Sequence, residues 1–308
     1  MDANFLLNRL QRPTGQVDAV LDTDTYNEID DQFALAYFML KKEKIRPQAI
    51  YAAPFSNSRA ATPAEGMEKS YDEIVNMLKL CGREDFVSAA YKGSKSYLAD
   101  EKIPVDSPAA RDLIGRAMSY SPKTPLYVLT IGAITNIASA LLMEPAIRDK
   151  IVVVWLGGHA HTWPSPRAEF NMMQDVAAAR VVFGSGAAVV QLPCMGVVSH
   201  LTTTEPELRE HVKGKSALGD YLYDFTCKTA LHDGGNAAWS RVIWDISVIS
   251  WLLGEDHVRD VLMPALIPSY DQSYIHDAGR HYMKVAYHVN RDAIFLDLFK
   301  TLATVSLP

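Results

Sequence analysis

Runs of four or more consecutive apolar residues recur along the chain, and segments with helical periodicity separate several of them. Unbroken apolar runs of this kind are typical of β-strands that are buried on both faces, because neither side of such a strand meets water. Polar and turn-forming residues bound each run and mark where a strand would end. The runs predict five strands, at residues 17–24, 48–54, 125–132, 150–158 and 187–193.

Helical patterns alternate with these strands. Helices are predicted at residues 30–41, 64–82 and 135–145, the segment 200–245 is mainly helical, and 282–302 has the pattern of a late strand followed by a closing helix. This alternation indicates a mostly parallel sheet, since the connecting helices must cross its faces. We therefore expect an α/β fold with an open, mostly parallel, Rossmann-like sheet, helices on both faces and the active site at the C-terminal ends of the strands.

The composition agrees with one sizeable folded unit. The 308 residues are 48% hydrophobic and 21% charged, which is the mixture of a globular chain long enough to bury a large core. We find no internal repeat, low-complexity tract or Pro/Gly/Ser-rich linker at which the chain would divide. Residues 1–308 are therefore predicted to form a single domain.

Charge and cysteine content narrow the class of partner. The formal net charge of −6 provides no basic field for binding phosphate backbones, which argues against a nucleic-acid partner. The N-terminus lacks the pattern of a secretory signal, and no stretch of eighteen apolar residues predicts a membrane span, so a cytoplasmic location is expected. Cys81, Cys194 and Cys227 are odd in number and widely spaced, which suits reduced thiols.

The stretch DTDTYNEIDD, residues 22–31, concentrates carboxylates directly after the first predicted strand. Ligands of open α/β sheets bind beyond the carboxyl ends of the strands, so Asp22 and Asp24 stand where function is expected. Asp30 and Asp31 have a plainer explanation, because acidic residues in the first turn of a helix stabilise it by about 1 kcal/mol. That explanation leaves Asp22 and Asp24 unaccounted for.

A cation would explain the whole cluster. Carboxylates that repel one another in a partly dry cleft have raised pKa values unless a cation lies among them. No histidine or cysteine lies within the stretch, so the available ligands are oxygens, which suit Ca²⁺ ahead of Mg²⁺. The spacing is not that of an EF-hand. The cluster predicts a calcium site, with helix capping as the alternative for two of its members.

Two later segments carry further candidates. Glu169 and Asn171 are two residues apart, which would place both side chains on one side of an extended segment, and Trp244 directly precedes Asp245. Taken singly, these residues are explained as loop polar groups, a helix cap or a core aromatic. Together with the acidic stretch they suggest one site assembled from distant parts of the chain.

Five segments, in the same order, resemble those of the inosine–uridine-preferring nucleoside hydrolases, which are calcium-dependent N-ribohydrolases. The first strand of that family ends in the signature DxDxxxDD, and AEFN is kept outright in this chain. The matching segments are DTDTYNEIDD (22–31), PFSN (54–57), LTIGAITNIASALLMEPAI (129–147), AEFN (168–171) and WD (244–245).

The resemblance implies an enzyme that hydrolyses the N-glycosidic bond of ribonucleosides, and it assigns roles to particular residues. Asp24 would be the general base that activates a calcium-bound water. A small-molecule nucleoside would be the partner, and a homodimer or homotetramer is expected. Ca²⁺ would be held by Asp24, Asp31, Asp245 and the backbone carbonyl of Ile131. The ribose hydroxyls would be held by Asp30, Asn57, Glu169, Asn171 and Asp245.

The chain departs from the family pattern at several places. The turn between Asp24 and Asp30 is two residues longer, and Trp163 falls where the family has an asparagine that contacts the 5′-hydroxyl. Trp244 stands where many members have a histidine that protonates the leaving base, which resembles the purine-preferring branch and predicts stacking on the base. The group that assists the leaving base stays open between solvent and three loop histidines, namely His159, His161 and His232.

Two other functions are compatible with parts of the sequence. The opening DTDT also resembles the start of haloacid dehalogenase-type phosphatases, where Asp22 would be the nucleophile and Asp24 the acid/base. In that family Tyr26 would replace an expected threonine, and the Asp30–Asp31 pair would have no role. The second alternative is a non-catalytic protein that binds ribosyl compounds, which only a turnover assay separates from an enzyme.

Overall fold

The strands form from the apolar runs, and each of the five predicted runs contains one. The computed structural model describes residues 3–165, 167–232 and 238–305. Within these residues the strands are β1 (Val17–Thr23), β2 (Ile45–Ala52), β3 (Ala90–Lys92), β4 (Leu126–Thr130), β5 (Ile151–Leu156), β6 (Ala188–Leu192), β7 (Thr202–Thr203), β8 (Arg241–Val242), β9 (Val258–Pro264), β10 (Ile267–Pro268), β11 (Tyr274–Ile275) and β12 (Tyr282–Val289).

Several helices begin at a residue whose side chain caps the first turn. The hydroxyl of Thr62 accepts a hydrogen bond from the backbone N–H of Glu65, and Ser107 does the same for Ala110; a proline follows each cap. The α-helices of the described residues are α1 (Ala3–Arg9), α2 (Asp30–Leu40), α3 (Pro63–Leu80), α4 (Pro108–Ser119), α5 (Thr135–Met143), α6 (Phe170–Gln174), α7 (Val176–Gly184), α8 (Glu205–His211), α9 (Ala217–His232), α10 (Ile246–Leu253) and α11 (Arg291–Leu302).

The central sheet contains eight strands in the order β3-β2-β1-β4-β5-β6-β12-β9. All neighbours pair in parallel except β9, which runs antiparallel to β12 at one edge. From β1 the chain adds β2 and β3 on one side and then β4, β5 and β6 on the other. The strand order therefore reverses between β1 and β4. In open α/β sheets, a ligand crevice forms at the carboxyl ends of the two strands between which the order reverses.

Alternate residues of the strands pack into two separate cores, one on each face of the sheet. In β1, Leu21 belongs to the same core as Phe33 of α2 and Trp251 of α10, whereas Val20 belongs to the other core, with Leu113 of α4. Helices thus cover both faces, which confirms the predicted open, mostly parallel α/β sheet. Helix α2 is buried over nearly its whole length, so the acidic residues at its start are fixed by the surrounding core.

The sequence prediction of free thiols is confirmed, because Cys81, Cys194 and Cys227 are all free. Among the described residues, no helix combines the length and the apolar character needed to cross a bilayer. The pattern did not predict several elements, among them α1, β3, α4, α6, α7, α10 and the edge strand β9. Strand β3 has three residues and β9 exposes much of its length to solvent, so neither contains a long apolar run.

Candidate active site

A cavity of about 230 Å³ opens at the carboxyl ends of β1, β4 and β5. It is lined by every residue to which the family resemblance assigned a part in catalysis or in binding metal, ribose or base, except Asn57. Six further lining residues lie within or next to the predicted segments, and Cys194 and Met195 follow β6. The lining residues are Asp24, Asn27, Glu28, Asp30, Asp31, Ile131, Leu156, His159, Ala168, Glu169, Phe170, Asn171, Cys194, Met195, Trp244 and Asp245.

The longer turn between Asp24 and Asp30 does not separate the acidic residues. The backbone N–H of Asn27 donates to the carbonyl of Asp24 at 2.7 Å, which folds the additional residues into a tight turn. The Glu28 carboxylate pairs with Arg241 of β8 at 2.7 Å, which ties this turn to the segment that carries Trp244 and Asp245. Asp30 and Asp31 therefore still begin α2 beside the end of β1.

Four buried aspartates line the cavity. Carboxylate oxygens of Asp30, Asp31 and Asp245 lie within 4.8 Å of one another. Burial raises the pKa of all three, and repulsion between the neighbouring carboxylates raises it further for Asp31 and Asp245; the pKa of Asp30 rises to about 7. Without a cation, the charged form of this cluster is therefore strongly disfavoured.

Asp24 is the fourth carboxylate and lacks any compensation. Both of its oxygens are buried, and neither has a hydrogen-bond partner among the described residues. Burial, and then the charge of Asp30, hold its pKa well above the usual range. Buried carboxylate oxygens are rarely left unpaired, and a hard divalent cation would satisfy them. The donor set of carboxylates and the nearby carbonyl of Ile131 fits such a cation.

Asp22 has a structural role and does not line the cavity. Its Oδ2 accepts from Nδ2 of Asn136 at 2.7 Å, and Oδ1 accepts from the Thr130 hydroxyl at 3.4 Å. Burial raises the pKa of this carboxyl to about 7. Asp22 therefore joins β1 to β4 and α5. The phosphatase alternative required it as an exposed nucleophile, and this position does not provide one.

Glu169 is a helix cap and a cavity residue at once. It is the N-cap of α6, and its carboxylate accepts from the backbone N–H groups of Asn171 at 3.0 Å and Met172 at 2.8 Å. It also accepts from the N–H of Gly158 at 2.6 Å, in the loop after β5. Gly158 has φ +74°, and a Cβ there would lie 2.0 Å from the Tyr274 hydroxyl, so only glycine fits.

Asn171 joins the ends of two central strands. Its Nδ2 donates to the carbonyl of Ile131 at 2.9 Å and to that of Leu156 at 3.0 Å. Both amide hydrogens are thereby engaged, which leaves Oδ1 to accept from a ligand. The expectation of an extended segment was wrong here, because Asn171 is the second residue of α6. The N-cap geometry nevertheless brings Glu169 and Asn171 to the same cavity.

Asn57 does not line the cavity itself but contacts Asn27, which does. It follows β2 in a short turn, and its Nδ2 donates to Oδ1 of Asn27 at 2.7 Å. Asn27, which the sequence analysis did not single out, lines the cavity in place of Asn57. The only signal for it in the sequence is the longer turn after Asp24.

The remaining wall of the cavity is formed by larger and less polar side chains. Phe170, Met195 and the half-buried Trp244 contribute to it, together with His159. Of the other candidate residues, His161 packs edge-on against His276 with ring centroids 5.6 Å apart, and Trp163 packs against the core; neither lines the cavity. The side chain of His232 lies outside the described residues.

Comparison with known proteins agrees with this architecture. The chain is 34% identical to the pyrimidine-specific ribonucleoside hydrolase RihB of Escherichia coli over 213 residues, which is 60% of this chain and 66%, less than two thirds, of that relative. A plant nucleoside hydrolase structure superposes with a TM-score of 0.77 at 19% identity, covering 95% of this chain and 100% of the other. The purine-preferring ribonucleoside hydrolase from Gardnerella vaginalis gives 0.73 at 21% identity, covering 93% and 98%.

At these identities the two structures establish a shared fold. The family itself is established by sequence, because the profile of the inosine-uridine preferring nucleoside hydrolases matches residues 19–295, which is most of the chain. The match spans the acidic turn, the AEFN segment and the Trp244–Asp245 pair that meet in the cavity. The chain therefore belongs to the inosine-uridine preferring nucleoside hydrolase family.

Proposed function

We propose that the protein hydrolyses the N-glycosidic bond of ribonucleosides, giving ribose and the free base. The observation that supports this most directly is the unpaired, buried Asp24 carboxylate in a cavity that also presents Asp30, Asp31 and Asp245. Such a site can hold a cation, remove a proton from water and stabilise positive charge. Hydrolysis of a ribosyl bond requires the last two abilities, because its transition state resembles an oxocarbenium ion.

The cation in this proposal is Ca²⁺, held by the carboxylates of Asp24, Asp31 and Asp245 and the carbonyl of Ile131. The Asp30 carboxylate has an oxygen within 4.8 Å of oxygens of Asp31 and Asp245 and lies close enough to share this charge. An irregular set of carboxylates and a carbonyl suits Ca²⁺ better than the strict octahedron of Mg²⁺. When bound, the ion supplies positive charge that favours ionisation of water and binds sugar hydroxyls.

The side chains of this protein then divide the remaining tasks. Asp24 accepts a proton from the attacking water, because its carboxylate lines the cavity and neither oxygen is occupied by a hydrogen bond from the described residues. Asp30, Asp245 and Oδ1 of Asn171 accept hydrogen bonds from the ribose hydroxyls, and Glu169 contributes negative charge at the same end. Asn57 acts through Asn27, which its amide orients. The carboxylates together stabilise the positive sugar as the bond to the base breaks.

An assay of ribose release tests this function. The purified protein is incubated with purine and pyrimidine ribonucleosides, and free ribose is measured alongside binding of each nucleoside. We expect turnover of at least one nucleoside. Binding without release of ribose would instead identify the non-catalytic ribosyl-binding protein, and release of phosphate from phosphomonoesters would support the phosphatase.

A preference for purines is proposed from Trp244, since a bicyclic base offers more stacking area to the indole. The names of the relatives do not decide this, because they include both a pyrimidine-specific and a purine-preferring enzyme. Trp244→Ala should therefore lower kcat/KM for inosine more than for uridine. The loss for inosine should correspond to about 1–3 kcal/mol of transition-state stabilisation.

Trp163→Ala is the matched control, because Trp163 packs against the same core as Trp244 without lining the cavity. This variant should affect both nucleosides equally. Equal losses for inosine and uridine in Trp244→Ala, with a large fall in melting temperature, would show that Trp244 only packs beside Asp245.

A cytoplasmic location, a homodimer or homotetramer, and one domain spanning residues 1–308 also stay predictions.

A further inference from the structure

His159 is the described histidine that lines the cavity, and its backbone is held on both sides. It follows β5, directly after Gly158. The N–H of Cys194 donates to the Gly158 carbonyl at 2.8 Å, and the N–H of Ala160 donates to the Met195 carbonyl at 3.0 Å. The loops after β5 and β6 are thus paired on either side of the histidine, which fixes where its ring can lie.

The ring of His159 is held in one tautomer. The backbone N–H of Met195 donates to Nδ1 of the ring at 3.3 Å. A backbone N–H can only donate, so Nδ1 carries no hydrogen and the proton of the neutral ring is on Nε2. A protonated ring would turn a second N–H toward Met195 and lose this bond. Burial also lowers the pKa of the ring, against an opposing effect of the Glu169 charge.

We propose that His159 donates a hydrogen bond from Nε2 to the leaving base, an inference that rests on the proposed nucleoside hydrolysis. His159 lines the same cavity as Met195, Trp244 and Phe170, whose apolar and aromatic side chains suit a planar base. Its single N–H is available to a ring nitrogen or an exocyclic oxygen of that base. His159 thereby takes the task for which the sequence left several histidines and solvent open.

The chemistry balances with a neutral histidine. The bond between C1′ and the base nitrogen breaks, and its electron pair passes into the base. Water oxygen bonds to C1′, Asp24 takes one proton from that water, and the departing base later takes a proton from solvent. His159 keeps its own proton throughout. As the bond breaks, a nitrogen or oxygen of the base becomes negative. A preorganised donor such as Nε2–H of His159 stabilises that charge as it develops.

The position of His161 argues for His159 as the donor. His161 lies only two residues further along the chain, yet its ring packs against exposed His276 and does not line the cavity. The two histidines therefore form a matched pair for mutation, because they share a loop and differ in access to the base.

The test compares two leaving groups. Ribonucleosides lose a poor leaving group that needs a hydrogen-bond donor, whereas 4-nitrophenyl β-D-ribofuranoside loses a stable phenolate that does not. His159→Leu should lower the ratio of the nucleoside rate to the nitrophenyl rate by about 10²-fold, the usual effect of removing one such donor. His159→Gln, whose amide N–H can replace Nε2–H, should restore part of the ratio. His161→Leu should leave the ratio as in the wild type.

Each outcome decides the matter. An unchanged ratio in His159→Leu, or a ratio in His159→Gln no better than in His159→Leu when thermal unfolding shows the Gln variant folded, would overturn the role of His159. Those results leave nucleoside hydrolysis itself intact, because the wild type still turns over both substrates. A wild type inactive on every nucleoside would overturn the proposed function and this inference with it.

Discussion

Asp24→Asn is expected to reduce kcat for nucleosides by at least about 10²-fold, the scale of a lost general base. Asparagine has nearly the same shape as aspartate but cannot take a proton from water. Because Asp24 is buried with both oxygens unpaired among repelling carboxylates, removal of its charge should not destabilise the metal-free fold. Steady-state kinetics and thermal unfolding of the same preparation measure the two effects separately.

Asp18→Asn is the matched control for this variant. Asp18 lies near the start of β1, the strand that Asp24 directly follows, and pairs there with the exposed Arg46. It lies far from the cavity along β1, so its neutralisation should leave kcat unchanged. Turnover close to that of the wild type in Asp24→Asn would mean that another group is the base.

Removal of divalent cations should abolish turnover and lower the melting temperature. A ligand present at a hundredfold excess over its dissociation constant stabilises the folded state by about 2.7 kcal/mol, and the chelated protein loses that stabilisation. The cause lies in the cluster: without a cation, Asp31 and Asp245 are left with raised pKa values and unbalanced repulsion. Activity and unfolding are measured with and without chelator, and again after Ca²⁺ or Mg²⁺ is restored.

Asp31→Asn provides the internal comparison. It should make the melting temperature much less responsive to added Ca²⁺, because one proposed ligand is lost. A purified protein that contains no divalent ion and keeps full activity in excess chelator would contradict the metal site. If Mg²⁺ but not Ca²⁺ restored activity and melting temperature, the metal site would stand but the choice of Ca²⁺ would be wrong.

The sheet could be predicted because the information is local to each strand. Strand β5 is buried on both faces and consists of an unbroken apolar run, and in β1 the apolar residues Ala19, Val20 and Leu21 are followed directly by the carboxylate of Asp22. The edge strand β9 escaped prediction because its outer positions face water and its pairing with β12 is made by tertiary contacts. The apolar pattern alone therefore does not predict such a strand.

The site could be predicted residue by residue only where position along a strand decides orientation. Asp24 was singled out in this way, whereas the roles of Asp31 and Asp245 were predicted from the family resemblance. Asn27 was missed because the path of the longer turn determines whether it or Asn57 faces the cavity, and no pattern encodes that path. A helix cap was one explanation that the sequence offered for Glu169, but the hydrogen bond that its carboxylate accepts from the N–H of Gly158 was missed, because that N–H belongs to another loop.

The double hydrogen bond of Asn171 has a thermodynamic consequence. The Ile131 carbonyl has two lone pairs; Nδ2 of Asn171 occupies one, which leaves one for a cation. In the proposed function the same asparagine accepts a hydrogen bond from the sugar through Oδ1, so one amide side chain would take part in binding both the cation and the sugar. Coupling between two binding equilibria is reciprocal, and whatever factor the cation adds to sugar affinity, the sugar must return to cation affinity. Ribose released as product would then weaken the hold on the ion as it departs.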